Sequence, residues 1–454
     1  MGALMDIEGY AKRGLLANDP DLEEKLTDRI LEIKHISRIR AEEIARAAIV
    51  EARATLRPTG EVLAPVISGV TMGELGVGSR GAGDFYTHEK IAEVIGRTDA
   101  VVDSSHLDDS GVVRLRNQQD RYIVVNIDGI HSRLSDFPFL AGFHVARAAL
   151  RDIYVMGASP IALLSDIHVA DDGDVGKVFD HIAGIAAVAE LTCVPLVTGS
   201  TLRIGGDMVI GERMTGGVGA VGVARDLTAR IAAKPGDAIL MTEGAGGGTV
   251  STAALYYGMH EIVEETVNIK FIDACEALIA DDLLGQIHAM TDVTNGGVRG
   301  DAKEISRTAQ VKLRFFEDVM RPLVNVKVLS MLERLEIDYL GVSLDALLLI
   351  APPDAAPEIM AAIRARGVAV DLVGEVVEGT GAELVTDGEV CDFTPRFRES
   401  AYTPIKKLVG DETPRDYARM RAAIDRAALD AVGKKERVVA RVRRSISGPI
   451  SMQS

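Results

Sequence analysis

Between Asp21 and about Arg57, the apolar residues Leu22, Leu26, Ile30, Ile33, Ile36, Ile44 and Ile49 recur at three- and four-residue steps among charges. That is the period of a helix with one apolar face, and Pro58 closes it. The segment TMGELGVGSRGAGDF follows, with glycines at 73, 76, 78, 81 and 83, too many to hold regular structure alone, so it is expected to be a mobile loop. From Val101 to Val223 short apolar runs alternate with helical stretches, Phe139 to Met156 and Val175 to Leu191, which is an α/β pattern. A second alternating block starts at Lys234-Pro235-Gly236-Asp237 and runs to about Glu378. The tail from Pro414 is helical in period and ends basic, with Lys434, Lys435, Arg437, Arg441, Arg443 and Arg444; a solvated helix face is the expected reading. The pattern thus predicts a helical extension over 1–70, α/β domains over 71–225 and 226–400, and a helical tail over 401–454.

Within the first block, LDDSGVVRLRNQQDRYIVVNIDGI reads as a β-hairpin. If Gln118-Gln119 centres its turn, Asp109 falls opposite Asp128, with Asp108 one step away. Like charges facing across a ladder are destabilising, so a positive group is expected there, unless the strand ends fray into water. Asp152 has Ala148, Ala149, Val155 and Met156 as its helical neighbours, and Arg151 points elsewhere. A carboxylate on an apolar face needs a partner; a divalent metal or the backbone amides of another segment would serve. In AMTDVTNGGVRGDAKEI the glycines open a helix whose free N–H groups can hold an anion, with Asp292 placed to bind a metal on it. Gly244, Gly246, Gly247 and Gly248 mark another strand-to-helix turn without the third glycine of a dinucleotide fingerprint.

Composition narrows the chemistry. The net charge of −17 opposes general attraction to nucleic acid or anionic lipid. Cys193, Cys275 and Cys391 are too few and too dispersed for a disulfide framework or a CxxC site, which suits a reducing, cytoplasmic setting. Neither an apolar span nor a secretion signal is visible. There is no P-loop, no GxSxG and no HExxH. What remains is a set of acids beside glycine turns, the chemistry of a magnesium-bound nucleotide.

The ordered string DDSGVV, VVNIDG, ALRDIYVMGASP, PLVTGST, KPGDAILMTEGAGG, MTDVTNGGV and VGEVV resembles the ATP-binding superfamily of aminoimidazole ribonucleotide (AIR) synthetase, selenophosphate synthetase, thiamine-monophosphate kinase and the hydrogenase-maturation dehydratase. The resemblance covers about residues 71 to 380 and is nearest to the archaeal AIR synthase-related proteins. It implies a PurM-like α/β (α+β) fold: an N-terminal ferredoxin-like domain that dimerises into a β-barrel, then a C-terminal α/β domain, with ATP between them. It further implies a homodimer acting with ATP, Mg2+ and a small-molecule acceptor. Asp108, Asp109, Asp128, Asp152 and Asp292 match the metal-holding acids, and Gly76, Gly78, Gly81 and Gly83 match the phosphate-covering loop. Asp128, Asp152, Thr201, Asn295, Gly296 and Gly297 complete the implied nucleotide contacts. Two departures stand out. Thr198-Gly199-Ser200-Thr201 replaces a motif aspartate by a hydroxyl, and Ser79-Arg80 occupies the loop where the selenium enzyme keeps a reactive thiol or selenol. The first reading is therefore a kinase- or synthase-like transferase without a named acceptor; the alternative is a nucleotide-binding regulatory or scaffold protein without turnover.

Overall fold

The computed structural model describes residues 6–115, 120–204, 211–399 and 401–446. Three helices, Ile7–Ala17, Leu22–Ile33 and Arg38–Thr55, form the N-terminal extension around a small core of their own that includes Leu26, Ile30, Ala41 and Ala45. The single helical stretch expected over 21–57 is thus broken at Lys34–Ser37. Ser37 caps the new helix by accepting from Arg40 N. Lys34 is turned instead toward Asp171 and Asp172, at 2.6 and 2.9 Å, and so docks the extension on the first domain.

That domain is a five-stranded sheet of β1 (Gly111–Arg114), β2 (Tyr122–Gly129), β3 (Ala158–Val169), β4 (Leu196–Arg203) and β5 (Met214–Ala224), in the order β1-β2-β5-β3-β4. The ladder pairs Gly111 with Val125 and Arg114 with Tyr122, one residue off the register expected from a turn at Gln118-Gln119, which lies outside the described residues. Because β1 begins at Gly111, Asp108 and Asp109 belong to the turn before it rather than to the ladder. The helices Pro138–Tyr154 and Gly176–Thr192 cover one face of the sheet. Strand alternation sends Val124 into that core and Val125 and Ile127 outward, where they stay exposed together with Val113 and Leu202.

The second sheet contains β6 (Ala238–Thr242), β7 (Ala289–Val293), β8 (Lys312–Phe316), β9 (Ala346–Ala351), β10 (Val370–Val377), β11 (Gly381–Thr386) and β12 (Glu389–Asp392), in the order β12-β11-β8-β10-β6-β9-β7. β6, β7 and β9 are buried along their whole length, as the mostly apolar runs of β6 and β9 require, and β7 carries Thr291 and Asp292 into the same interior. The helix Pro138–Tyr154 is buried almost all round because the second domain packs on it: Leu150 and Ile153 share one core with Phe271, Cys275 and Leu347. The tail is the helix Tyr417–Ile446, laid against the helix Ala82–Ile95. Among the described residues no helix is long and apolar enough to cross a membrane.

The glycine-rich stretch is more ordered than its composition suggests. Met72–Leu75 is a helical turn with a capping box between Thr71 and Glu74, and Ala82 starts the next helix. A Cβ on Gly81 would lie 2.1 Å from the Phe397 carbonyl oxygen, and one on Gly83 1.8 Å from that of Leu75. These two glycines are where backbones touch. Gly83→Ala should therefore lower stability by about 1–3 kcal/mol through overpacking, measured by urea unfolding; unchanged stability would show that the close approach is not needed.

Candidate active site

The two sheets meet over a cleft of about 680 Å3. From the first domain, β2 directs Asn126 and Asp128 to the covered face, and the adjoining helix brings Asp152 beside them: Asn126 Nδ2 donates to Asp152 Oδ2 at 2.7 Å. Ser110 Oγ donates to the Asp152 carbonyl at 2.6 Å, fixing the turn that carries Asp108 and Asp109. From the second domain, Asp292 comes off the end of β7, and Asp345 from the turn before β9.

The positive charge expected beside the first acids is Arg230. Its Nη2 is 2.6 Å from Asp109 Oδ1, and its backbone N–H donates to Asp108 Oδ2 at 3.1 Å. Thr291 Oγ1 donates to the other Asp109 oxygen at 3.0 Å, and Arg230 Nη1 is 3.1 Å from Glu304 Oε2. Arg151 Nε lies 3.1 Å from Asp292 Oδ2, and Arg151 and Arg147 both pair with Asp345. Arg151 therefore does point away from Asp152, but into the same cleft.

Asp152 has no guanidinium of its own, and its acidity reflects that. Burial, then the charges of Asp292, Asp128 and Asp109, hold its carboxyl well above the usual range. Burial also raises Asp128. Asp108 and Asp292 are each pushed up to about 6, mainly by burial, with Arg230 and Arg151 respectively opposing the shift. Among the described residues no three His, Cys, Asp or Glu side chains converge on a ready-made metal position. The donor set is nevertheless made of hard oxygens. Asn126 Oδ1 is buried without a hydrogen-bond donor, and Asp292 Oδ2 faces Arg151 Nε at 3.1 Å without a well-formed hydrogen bond, so the residues present suit magnesium with other ligands supplied by a phosphate or water.

The remaining expected positions divide. Gly78 lines the cleft with φ +82°, and its N–H donates to Asp84 Oδ1 at 2.9 Å, while Arg80 N donates to Oδ2 at 2.7 Å. The loop amides are thus held by a carboxylate that the sequence reading did not single out. Gly76 packs against Arg398, and Gly81 and Gly83 against backbone; none of the three lines the cleft. Asn295 does line it, and its Nδ2 donates to the Gly78 carbonyl at 2.7 Å. Gly296 and Gly297 open the helix Gly297–Ala309 as expected, but Arg80 lies across the turn: its Nε donates to the Asn295 carbonyl at 3.0 Å, and its Nη1 is 3.0 Å from Glu304 Oε1. A Cβ on Gly296 would meet Arg80 Cβ at 2.4 Å. Thr201 sits on the edge strand β4, paired with Ile167 and exposed, outside the cleft lining.

The arginines were the main omission. Arg147 and Arg151, four residues apart among the apolar residues of one helix, and Asp345 just before the apolar run of β9 carried a readable signal: charges with no solvent to face.

The raised carboxylates fix the pH dependence. An acid whose folded pKa exceeds its unfolded value binds its proton more tightly in the fold, so its stabilising share is complete below the unfolded value and is lost as pH rises through the folded one. Without divalent ions, stability should fall from about pH 4 through 6 as Asp108 and Asp292 ionise. Asp152→Asn should make the metal-free protein more stable at pH 7.5 by about 1 kcal/mol and flatten this decline. Urea unfolding at pH 5 and 7.5 checks both; a variant less stable at pH 7.5 would make Asp152 a structural acid.

Known proteins identify the fold. Residues 107–224 match the model of the AIR synthase related protein N-terminal domain, and residues 234–387 that of its C-terminal domain. An uncharacterized protein of Methanocaldococcus jannaschii is 50% identical over 452 residues, covering 96% of this chain and 98% of that one. A selenide, water dikinase of a Geobacter species is 31% identical over 209 residues, 46% of this chain and 58% of that enzyme. Among solved structures, the hydrogenase maturation protein HypE in complex with ATP aligns with a TM-score of 0.52 at 19% identity, over 64% of this chain and 88% of that one. The ThiL protein complexed with AMPPCP and TMP aligns with a TM-score of 0.52 at 18% identity, over 68% and 94%. The two sheets with the cleft between them are the PurM-like fold, and the chain belongs to the AIR synthase-related family.

Proposed function

We propose that this chain is a Mg-ATP-dependent enzyme that phosphorylates or otherwise activates a small-molecule acceptor in the cleft between its two domains. One observation carries the reading: eight carboxylates and only four guanidiniums line a single cleft. A bare polyphosphate would be repelled there, whereas one carrying divalent cations brings the charge the acids lack. Asp108, Asp109, Asp128, Asp152 and Asp292 are the residues that would hold the metal. Bound there, magnesium would neutralise phosphate charge and assist transfer of the γ-phosphoryl group.

The chain's own groups supply the rest. Arg147 reaches Gly247 at the turn before the helix Gly248–Tyr256, so a guanidinium and a helix N-terminus face the same volume, a setting suited to phosphate oxygens. Asn126 keeps Asp152 oriented through its 2.7 Å bond. The ATP and AMPPCP in the HypE and ThiL structures, and the dikinase relative, support nucleotide use. Among the described residues no cysteine lines the cleft, which favours an oxygen or nitrogen acceptor over one handled through a reactive thiol.

Incubation with Mg-ATP and a small-molecule cell extract, with mass detection of the modified acceptor and identification of ADP or AMP, tests the reading. Wild type should consume ATP only with an acceptor fraction present, and Asp152→Asn should lose at least about a hundredfold of that rate. An equally active Asp152→Asn protein, or ATP untouched in every fraction, would contradict it.

Homodimerisation through the outer face of the first sheet belongs to the same reading. Ile127 is 75% exposed, with Val125, Val113 and Leu202 also exposed on that face, an apolar surface of the kind that pairs with a second copy. Sedimentation should give a dimer at micromolar concentration for wild type and a monomer for Ile127→Asp; a monomeric wild type would refute this assembly.

A further inference from the structure

A second cavity, of about 350 Å3, opens beside the acid cleft and shares two walls with it, Val77 and Ile91. It is formed by the segment around Val70–Val77, the helix Ala82–Ile95 and the middle of the tail helix, where Ile424, Ala427 and Ala428 face it. All three segments lie outside the residues matched by the family's two domain models, which begin at 107 and end at 387.

The walls decide what the cavity can take. Its few polar side chains are already committed: Ser68 Oγ donates to the Val70 carbonyl, Thr71 Oγ1 bonds Glu74, and Thr87 Oγ1 donates to the Gly83 carbonyl at 3.0 Å. Lys90 is engaged by Glu93 at 2.6 Å and Asp425 at 3.0 Å. A polar body entering here would lose its water and find no partner, a cost that an apolar body does not meet. The groove is also preformed. Tyr86 bonds Asp425, Lys435 Nζ donates to the Val94 carbonyl, and Lys434 Nζ to the carbonyls of Val62 and Ala64, so the tail helix is fastened to the helix Ala82–Ile95 and to the chain just before the first wall. A rigid apolar recess of this size suits a small molecule.

We infer that this groove is the acceptor subsite, and that the acceptor is a small molecule with an apolar body and its nucleophilic group at the end that passes Val77 and Ile91 into the acid cleft. The inference rests on the nucleotide reading above and adds the acceptor's chemical class. In the transfer, the acceptor oxygen or nitrogen forms a bond to the γ-phosphorus, the bond to the bridging oxygen breaks, ADP leaves with the electron pair, and the acceptor's proton passes to a cleft carboxylate or to water. The tail helix thereby becomes part of substrate recognition.

The neutral fluorescent probe N-phenyl-1-naphthylamine reports on the groove. Wild type should bind one probe per chain, and Ile95→Asp and Ala428→Trp should each bind it at least tenfold more weakly while affinity for Mg-AMPPCP is unchanged. Should either variant fail to fold, the methyl carbon resonance of Met72, assigned with Met72→Leu, should shift on probe addition to wild type. The extract compound consumed with Mg-ATP should partition into organic solvent and displace the probe. A wild type that seats no probe, or a consumed compound that leaves the probe in place, overturns the acceptor assignment. A seated probe in a protein that binds no Mg-AMPPCP would instead refute the nucleotide reading.

Discussion

Arg230 is the interaction on which the relation of the two domains depends. It is almost wholly buried, about 1% exposed, and its guanidinium and backbone together reach Asp108, Asp109, Thr291 and Glu304. Those partners come from the turn before the first sheet, from β7 and from the helix Gly297–Ala309. Burying a guanidinium costs several kcal/mol that its partners must offset, and removing one partner of such a pair costs about 3–5 kcal/mol. Burial works against its proton, but the carboxylates around it, Asp109 first, more than offset that and raise its affinity for the proton, so the charge stays and the domains must meet it in one arrangement.

The same requirement shapes the rest of the cleft. Arg147 and Arg151 extend from the helix between the sheets and hold Asp345 and Asp292 of the second domain. Arg80 ties the glycine-rich loop to the turn at Asn295. With these pairs made, Asp152 itself is left with one amide from Asn126 and no guanidinium of its own. Fixed cations on one side and an acid without a guanidinium on the other suit the proposed metal-bound nucleotide, which carries both signs.

Much of this was legible in the sequence. The alternating blocks gave two α/β domains in order because strand and helix periods are local properties, and Asp152 declared itself by its apolar neighbours. The hairpin register slipped by one because the turn was placed from residue type, whereas the ladder is set by which face must be buried, Val112 and Val124 inward. The glycines misled for a related reason. Composition alone does not separate a glycine that meets a ligand from Gly81 or Gly83, which meet the backbone of residues far away or across a turn. Thr201 was placed by motif, and only the sheet order puts it on the edge strand away from Asp128. The guanidiniums were invisible as a group because Arg80, Arg147, Arg151 and Arg230 are brought together only by the packing of both domains.

If the cleft takes its nucleotide through divalent cations rather than through protein charge, as proposed, nucleotide affinity must depend on the metal. Calorimetric titration of AMPPCP into the metal-free protein, with and without magnesium, tests it most directly. Binding should be tight with magnesium and at least a hundredfold weaker in EDTA, because four guanidiniums already engaged by carboxylates cannot offset the phosphate charge. Equal affinity in the two buffers would rule out recognition through the metal and assign the phosphates to the arginines.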